Sequence, residues 1–158
     1  MITPLDEVRS LRRSIRELAA LSVLSAAWSR TDPQGIAESL ADVLLRSLTQ
    51  AEFLYVRGLG LTRDLAFEVL CKHGGRETAQ RTREIGRTLE PLLRQGGDPA
   101  PAIPNPFGDG KVCLAILPMG YDGDCGFVVA GSGQPGFPTQ TDRLLLGVGA
   151  NQATVALQ

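Results

Sequence analysis

The stretch Gly126–Gln158, GFVVAGSGQPGFPTQTDRLLLGVGANQATVALQ, decides the fold. Its apolar run Phe127–Ala130 is typical of a buried β-strand, and a loop rich in glycine and proline follows it. Thr139 then stands three residues before Asp142 at the start of a second apolar run. This is the spacing of a helix capping box, with Asp in place of the usual Glu. The stretch therefore predicts a strand, a loop and a long C-terminal helix.

Apolar side chains surround nearly the whole circumference of this last helix, so we expect it to pack against more than one partner. They are Leu144, Leu145, Leu146, Val148, Ala150, Ala153, Val155, Ala156 and Leu157. No glycine or proline stop follows the helical pattern. We therefore expect the helix to continue into a further domain.

The segment FPTQTDRLLLGVGANQATVALQ, residues 137–158, resembles the closing loop and last helix of GAF domains in bacterial sensor proteins. The segments IPNPFGDGKVCLAILPMG, residues 103–120, and DPQGIAESLADVLLRSL, residues 32–48, resemble the same group. The resemblance implies an α+β fold of the GAF-like, PAS-related kind, with a central antiparallel sheet and helices on both faces. It is closest to the GAF domains that precede sensor histidine kinases, which implies a kinase as the output domain. GAF domains bind unrelated ligands on one scaffold, so the resemblance names no cofactor.

The whole chain has the composition of one globular domain. Of its 158 residues, 43% are hydrophobic and 21% are charged, and its net charge is −1. This balance gives no general attraction to nucleic acid, and no apolar run approaches the ~20 residues that cross a bilayer. We therefore expect this domain to contact neither nucleic acid nor membrane. Three widely spaced cysteines and an N-terminus without a secretion signal favour free thiols and the cytoplasm.

The N-terminal segment is predicted to form a helix that begins at Pro4 with Thr3 as its N-cap. Its apolar residues repeat in alternating steps of three and four, which is the pattern of a coiled-coil seam about two heptads long. They are Val8, Leu11, Ile15 and Leu18. Two interpretations remain open, namely a helix lying on its own domain and a parallel helix pair between two subunits. We expect residues 1–30 to form this signalling helix, which then joins the core, and residues 31–158 to form the GAF domain.

Over the whole chain, the periodicity predicts the element order ααββαβββα with an antiparallel sheet. A helix begins at Asp32-Pro33, and the strand after it places Phe53 and Tyr55 on one face. The next strand places four residues on one face, namely Leu65, Phe67, Val69 and Cys71. Residues 76–95 are predicted to be helical, and 95–110 to be an irregular surface loop.

We expect the first two helices and the last to cover one face of the sheet. The segment His73–Gly110 should cover the other face and roof a ligand pocket. Aromatic residues can supply the apolar walls of such a pocket, and the only histidine lies at its rim. The predicted ligand-binding residues are Tyr55, Phe67, His73 and Phe107.

No group of residues predicts a metal site or a catalytic centre. Cys71 and His73 supply two of the three or four ligands that a metal needs. A hairpin turn centred near Tyr121 would set Cys113 opposite Val129, away from Cys125. The thiols are therefore interpreted as small buried hydrophobes. Four arginines at helical spacing, Arg76, Arg83, Arg87 and Arg94, are interpreted as a solvated helix face.

These observations predict a non-catalytic sensory domain that binds a small ligand and relays a signal through its terminal helices to an output kinase. One alternative is a dimerisation and relay module without a small ligand. A second alternative is a thiol redox enzyme similar to the GAF-type methionine sulfoxide reductases. A homodimer is expected, because a second copy would cover both the N-terminal seam and the last helix. The predicted interface residues are Val8, Leu11, Ile15, Leu18, Leu144, Val148 and Val155.

Overall fold

The structure is a computed structural model of the chain, and it describes residues 3–22, 28, 31–60, 62, 64–95 and 100–157. The described residues form four helices and six strands. The helices are α1 (Pro4–Ser22), α2 (Pro33–Ser47), α3 (Ala79–Gln95) and α4 (Gln140–Leu157). The strands are β1 (Phe53–Leu59), β2 (Leu65–Lys72), β3 (Gly75–Arg76), β4 (Ala102–Pro104), β5 (Lys111–Met119) and β6 (Gly126–Ser132).

All six strands belong to one sheet in the order β3-β2-β1-β6-β5-β4, and each neighbouring pair is antiparallel. The α+β class and the antiparallel sheet are confirmed. Two short strands were not predicted. Gly75–Arg76 pairs with the end of β2, so Arg76 lies outside the helix to which its spacing assigned it. Ala102–Pro104 pairs with β5, so the segment 95–110 is not wholly irregular.

Three helix starts have the caps that the sequence predicts. The backbone N–H of Asp6 donates to Thr3 Oγ1 at 3.1 Å, and that of Asp142 donates to Thr139 Oγ1 at the same distance. At the start of α2, Asp32 Oδ1 accepts from a backbone N–H of the first turn at 2.9 Å. These bonds satisfy backbone donors that have no partner within the helix.

One face of the sheet is packed against α2 and α4. Its core is built from apolar side chains of both helices and of alternating strand positions. They include Leu40, Leu44, Leu54, Val56, Val69, Val128, Leu146 and Ala150. Trp28 is buried in the same cluster. The first helix itself contacts α4.

The other face of the sheet is covered by α3. Leu89 and Leu93 of α3 pack against the strand residues that point to this side, among them Phe53, Tyr55 and Leu114. The predicted alternation is therefore confirmed in β1, where Leu54 and Val56 point to the opposite face. Among the described helices, α3 is the one that packs on this face, and Phe107 packs against the same core.

Candidate functional site

Five residues form a hydrogen-bonded group between the sheet and α3, which we call the Arg57 network. The Arg57 side chain is 11% exposed, and its guanidinium donates to Glu90 Oε2 at 2.6 Å and to the carbonyl oxygen of Gly86 at 3.2 Å. Its Nε donates to the Tyr55 hydroxyl at 3.0 Å, and that hydroxyl donates to Glu68 Oε2 at 2.6 Å. Three of the five belong to the sheet and two to α3. The network therefore ties this helix to the sheet.

Strand geometry brings the sheet members of the network together. Tyr55 and Arg57 are two residues apart on β1, so both point towards α3. Glu68 of β2 lies directly opposite Arg57 in the strand register, and Phe127 of β6 lies opposite it on the other side. An arginine at an inward position of an alternating strand was the signal in the sequence that the prediction missed.

The network shifts the pKa values of three of its members. Burial, assisted by the bond to Glu68, raises the pKa of Tyr55, so its hydroxyl remains a donor. The hydrogen bond from Arg57 lowers the pKa of Glu90, which keeps this carboxylate ionised. Burial opposes the charge on Arg57, but its bonds to Glu90 and Tyr55 outweigh that effect and raise its pKa. The charges are therefore mutually stabilised.

Gly86 permits the close approach of α3 to the network. A Cβ at this position would lie 2.5 Å from Glu68 Oε2 and 2.7 Å from the Tyr55 hydroxyl oxygen. Both distances are shorter than van der Waals contact, so any side chain here would displace the hydrogen-bonded groups. Gly86 is thus needed because it lets α3 pack closely against the sheet. It is not needed for a special backbone conformation.

A cavity of about 560 Å³ opens beside the network, and we call it the Arg57 cavity. Its size is within the range of small-molecule sites. It lies between the C-terminal half of α3, the end of β1 and the turn that joins β5 to β6. It is lined by Arg57, Leu59, Glu90, Leu93, Arg94, Tyr121, Asp122, Gly123, Asp124 and Phe127. Its walls combine two arginines and three carboxylates with apolar groups, so a small molecule with both charged and apolar parts fits it chemically.

The structure does not bring the four predicted ligand-binding residues together. Tyr55 and Phe107 belong to the core on the α3 side, where the Phe107 ring lies 5.7 Å from that of Phe53. Phe67 points to the opposite face, into the α2 and α4 core, because β2 alternates in the other phase. None of the four is among the residues that line the Arg57 cavity, but Tyr55 is hydrogen-bonded to Arg57, which does line it.

His73 lies at the turn between β2 and β3. Its Nε2 is 2.9 Å from the carbonyl oxygen of Ala51. A carbonyl oxygen only accepts, so this nitrogen carries the proton. The histidine also lines a shallow second cavity of about 300 Å³ with residues of α2 and the turn. Among the described residues, no group of three or more His, Cys, Asp or Glu side chains is arranged to hold a metal ion.

The three cysteines are free thiols. Burial, with the nearby Asp42, raises the pKa of Cys71 to about 12, and burial also raises that of Cys125. Cys113 pairs with Ser132 in the sheet register, which corrects the predicted partner, Val129. The connection between β5 and β6 is longer than a tight turn, because a short 3-10 turn at Tyr121–Gly123 lies within it. That length shifts the register by three residues.

Five of the seven predicted interface residues are exposed apolar side chains on the terminal helices. Val8, Leu11 and Ile15 of α1 are exposed, as are Leu144 and Val155 of α4. We call these five residues the terminal-helix surface. Val148 is partly buried against the core, and the side chain of Leu18 lies outside the part of the chain that the structure describes.

The chain matches no protein-family model and no curated protein. The GAF resemblance therefore stays a prediction. No helix in the described part of the chain has both the length and the apolar character needed to cross a bilayer.

Proposed function

We propose that the chain is a non-catalytic sensory domain of the GAF type, which binds a small ligand in the Arg57 cavity and acts in the cytoplasm. It relays the binding event through its terminal helices to a C-terminal output domain, which the resemblance suggests is a histidine kinase. The observation that carries the proposal is the cavity itself. It has the size of a ligand site and mixed charged and apolar walls, and a nearly buried arginine lies at its edge.

Strand β6 offers a physical route from the cavity to the terminal helices. Phe127 lines the cavity, and its neighbour Val128 points into the core beneath α4. A ligand that displaces Phe127 therefore acts on a strand that packs against the output helix. Binding that prefers one arrangement of the strand shifts the position of that helix, since a ligand changes an equilibrium only through its differential affinity for two states.

The relay includes a homodimer formed by the terminal-helix surface. Five large apolar side chains are exposed on two helices that contact each other, and exposed apolar surface of this kind often marks a protein interface. A double substitution, Leu11→Glu with Ile15→Glu, should convert the dimer to a monomer in sedimentation experiments. A wild-type chain that is monomeric at high micromolar concentration, or a double variant as dimeric as wild type, would refute the dimer.

A thermal-shift screen with a library of small molecules tests the ligand site. A compound at 100 times its Kd should stabilise the domain by about 2.7 kcal/mol, which corresponds to roughly 5–11 °C in Tm. The hits should lose their effect in Leu59→Trp, which fills the cavity, and keep it in His73→Ala, which alters the second cavity. Hits that stabilise both variants equally would place the ligand elsewhere.

A second candidate is a dimerisation and relay module without a small ligand. The observation in its favour is that Arg57 is already neutralised by Glu90 and hydrogen-bonded by the domain itself. No ligand is needed to satisfy it. A library without any stabilising compound, together with an intact dimer, would favour this module.

The third candidate is a thiol redox enzyme. It requires a thiolate at neutral pH and a second thiol within bonding reach. The raised pKa values of Cys71 and Cys125 argue against the first requirement. Turnover of methionine sulfoxide with a thiol reductant, abolished by Cys125→Ser, would nevertheless establish this activity and overturn the non-catalytic proposal.

A further inference from the structure

The first helix presents its heptad seam to solvent. Val8, Leu11 and Ile15 are 44%, 62% and 57% exposed, although they are the apolar residues of the helix at coiled-coil spacing. Among the side chains of α1 that the structure describes, none is buried. The contact of α1 with α4 therefore leaves Val8, Leu11 and Ile15 uncovered.

The residue types along the seam distinguish between kinds of partner. With Val8 at position a of a heptad, Leu11 falls at d and Ile15 at the next a. β-Branched residues at a, combined with leucine at d, favour two parallel strands over higher oligomers. Leu18 occupies the following d position in the sequence and continues the pattern.

The charges beside the seam distinguish between orientations. In this heptad, Glu7 is at position g and Arg12 is at position e of the following heptad. In a parallel pair in register, each g residue lies beside the e residue five positions further along the partner helix. The twofold axis then creates two equivalent ion pairs between Glu7 and the partner's Arg12. An antiparallel pair sets g against g and e against e, where these residues meet no opposite charge.

Both charges are available for such a pair. Glu7 and Arg12 are exposed, and neither forms an ion pair with another described residue of its own chain. The remaining arginines of the helix lie at outer positions, with Arg9 at b and Arg13 at f. They cannot take part in the same pairing, which makes Arg13 a matched control.

We propose that the occupant of this seam is a second copy of the same helix, parallel and in register, with Glu7 paired to the partner's Arg12. The proposal rests on the proposed function only in requiring a dimer, and it adds the orientation and register of the two helices. A parallel pair places equivalent ends of the two domains side by side, so both output helices leave in the same direction.

Charge reversal tests the pairing, measured as the dimer dissociation constant by sedimentation at low salt, where exposed ion pairs are least screened. Glu7→Arg alone and Arg12→Glu alone each turn two attractions into two repulsions. Each should weaken the dimer roughly 10- to 30-fold. An equimolar mixture of the two variants should restore affinity close to wild type, because both pairs in the heterodimer are then of opposite charge. Arg13→Glu, with the same change of charge, should leave the dimer unchanged.

The outcomes separate this proposal from the proposed dimer. Three outcomes would overturn the parallel pairing but not the dimer. They are a dissociation constant that neither charge reversal changes, a mixture that does not regain wild-type affinity, and an Arg13→Glu variant that weakens the dimer as much as Arg12→Glu. A wild type that is monomeric at high micromolar concentration would overturn both. Circular dichroism of each variant confirms that the fold is retained.

Discussion

The two faces of the sheet are stabilised in different ways. The face beneath α2 and α4 is an apolar core in which large aliphatic side chains pack together. The face beneath α3 also has an apolar centre, but at one end the helix is held by the Arg57 network. Apolar packing is non-directional, whereas hydrogen bonds require particular atoms at particular distances.

This difference indicates how each face can respond to a change. An apolar core accepts a substitution of similar volume with a small loss of stability. A charged network close to a cavity depends on every partner being present, and the position of α3 depends on it. We therefore expect the α3 side to carry the response to ligands and pH, and the α2 and α4 side to hold the domain together.

The largest expected effect is on the apolar face. Leu44→Ala should lower the free energy of unfolding by about 2–5 kcal/mol, because Leu44 is fully buried between α2 and the sheet and its removal leaves a cavity. Leu44→Met preserves the volume and should cost less than about 1.5 kcal/mol. Urea denaturation at fixed protein concentration measures both. Equal losses for the two variants would contradict a packing origin.

The next largest effect is on the polar face. Tyr55→Phe keeps the ring and removes the hydroxyl, which leaves Arg57 Nε and Glu68 without a shared partner. An unsatisfied buried group costs about 1–3 kcal/mol, and a loss of that size is expected in urea denaturation. Tyr121→Phe removes the hydroxyl of an exposed tyrosine and should change stability by less than about 0.5 kcal/mol. If Tyr55→Phe unfolds with the same free energy as wild type, the network contributes no stability.

Two helix glycines, one on each side of the sheet, have different surroundings. Gly86 in α3 and Gly147 in α4 both lie inside helices, so alanine should gain about the same helix propensity, up to ~1 kcal/mol, at each. At Gly147 an added Cβ meets nothing within 4 Å, and Gly147→Ala should be stabilising. At Gly86 the Cβ collides with the network. The two substitutions should therefore differ by roughly 1–3 kcal/mol in thermal or urea unfolding, with Gly86→Ala the less stable. Equal effects would mean that α3 moves away at no cost.

The strands and helices that follow from local sequence patterns were predictable from the sequence. Alternation placed Tyr55 and Phe53 on one face, and the capping pair Thr139 and Asp142 located the start of α4. These signals are local, because each depends on residues that are neighbours within a strand or a helix turn. The predicted register between β5 and β6 was wrong, because the pairing depends on the geometry of the connection between the two strands.

The candidate site was much less predictable. The cavity combines Arg57 with Glu90, which is 33 residues away and on a different element, and only the docking of α3 brings them together. Aromatic residues were predicted to form the pocket walls. Tyr55 is buried in the core, however, Phe107 is partly buried against it, and Phe67 faces the other layer. An inward-facing arginine on β1 was a better signal than any aromatic residue, because a buried charge requires a partner.

The smallest expected effect concerns pH. The hydrogen bond from Arg57 lowers the pKa of Glu90 in the folded state, so folding favours the ionised carboxylate. The resulting stability is fully present above the pKa of the unfolded glutamate, about 4.3, and is lost as the pH falls through the lower folded value. The Glu90 side chain is 47% exposed, so solvent screening limits its contribution to about 1 kcal/mol or less.

Glu90→Gln should therefore be slightly less stable than wild type at pH 7, and this difference should shrink as the pH falls below about 4.3. Glu84→Gln, on the exposed side of the same helix, is the matched control and should stay within about 0.5 kcal/mol of wild type at neutral pH. If the difference in unfolding free energy between wild type and Glu90→Gln is constant from pH 7 to pH 3, the charge of the carboxylate does not stabilise the packing of α3. The contrast between a directional and a non-directional face would then rest on the Tyr55 hydroxyl and Gly86 alone.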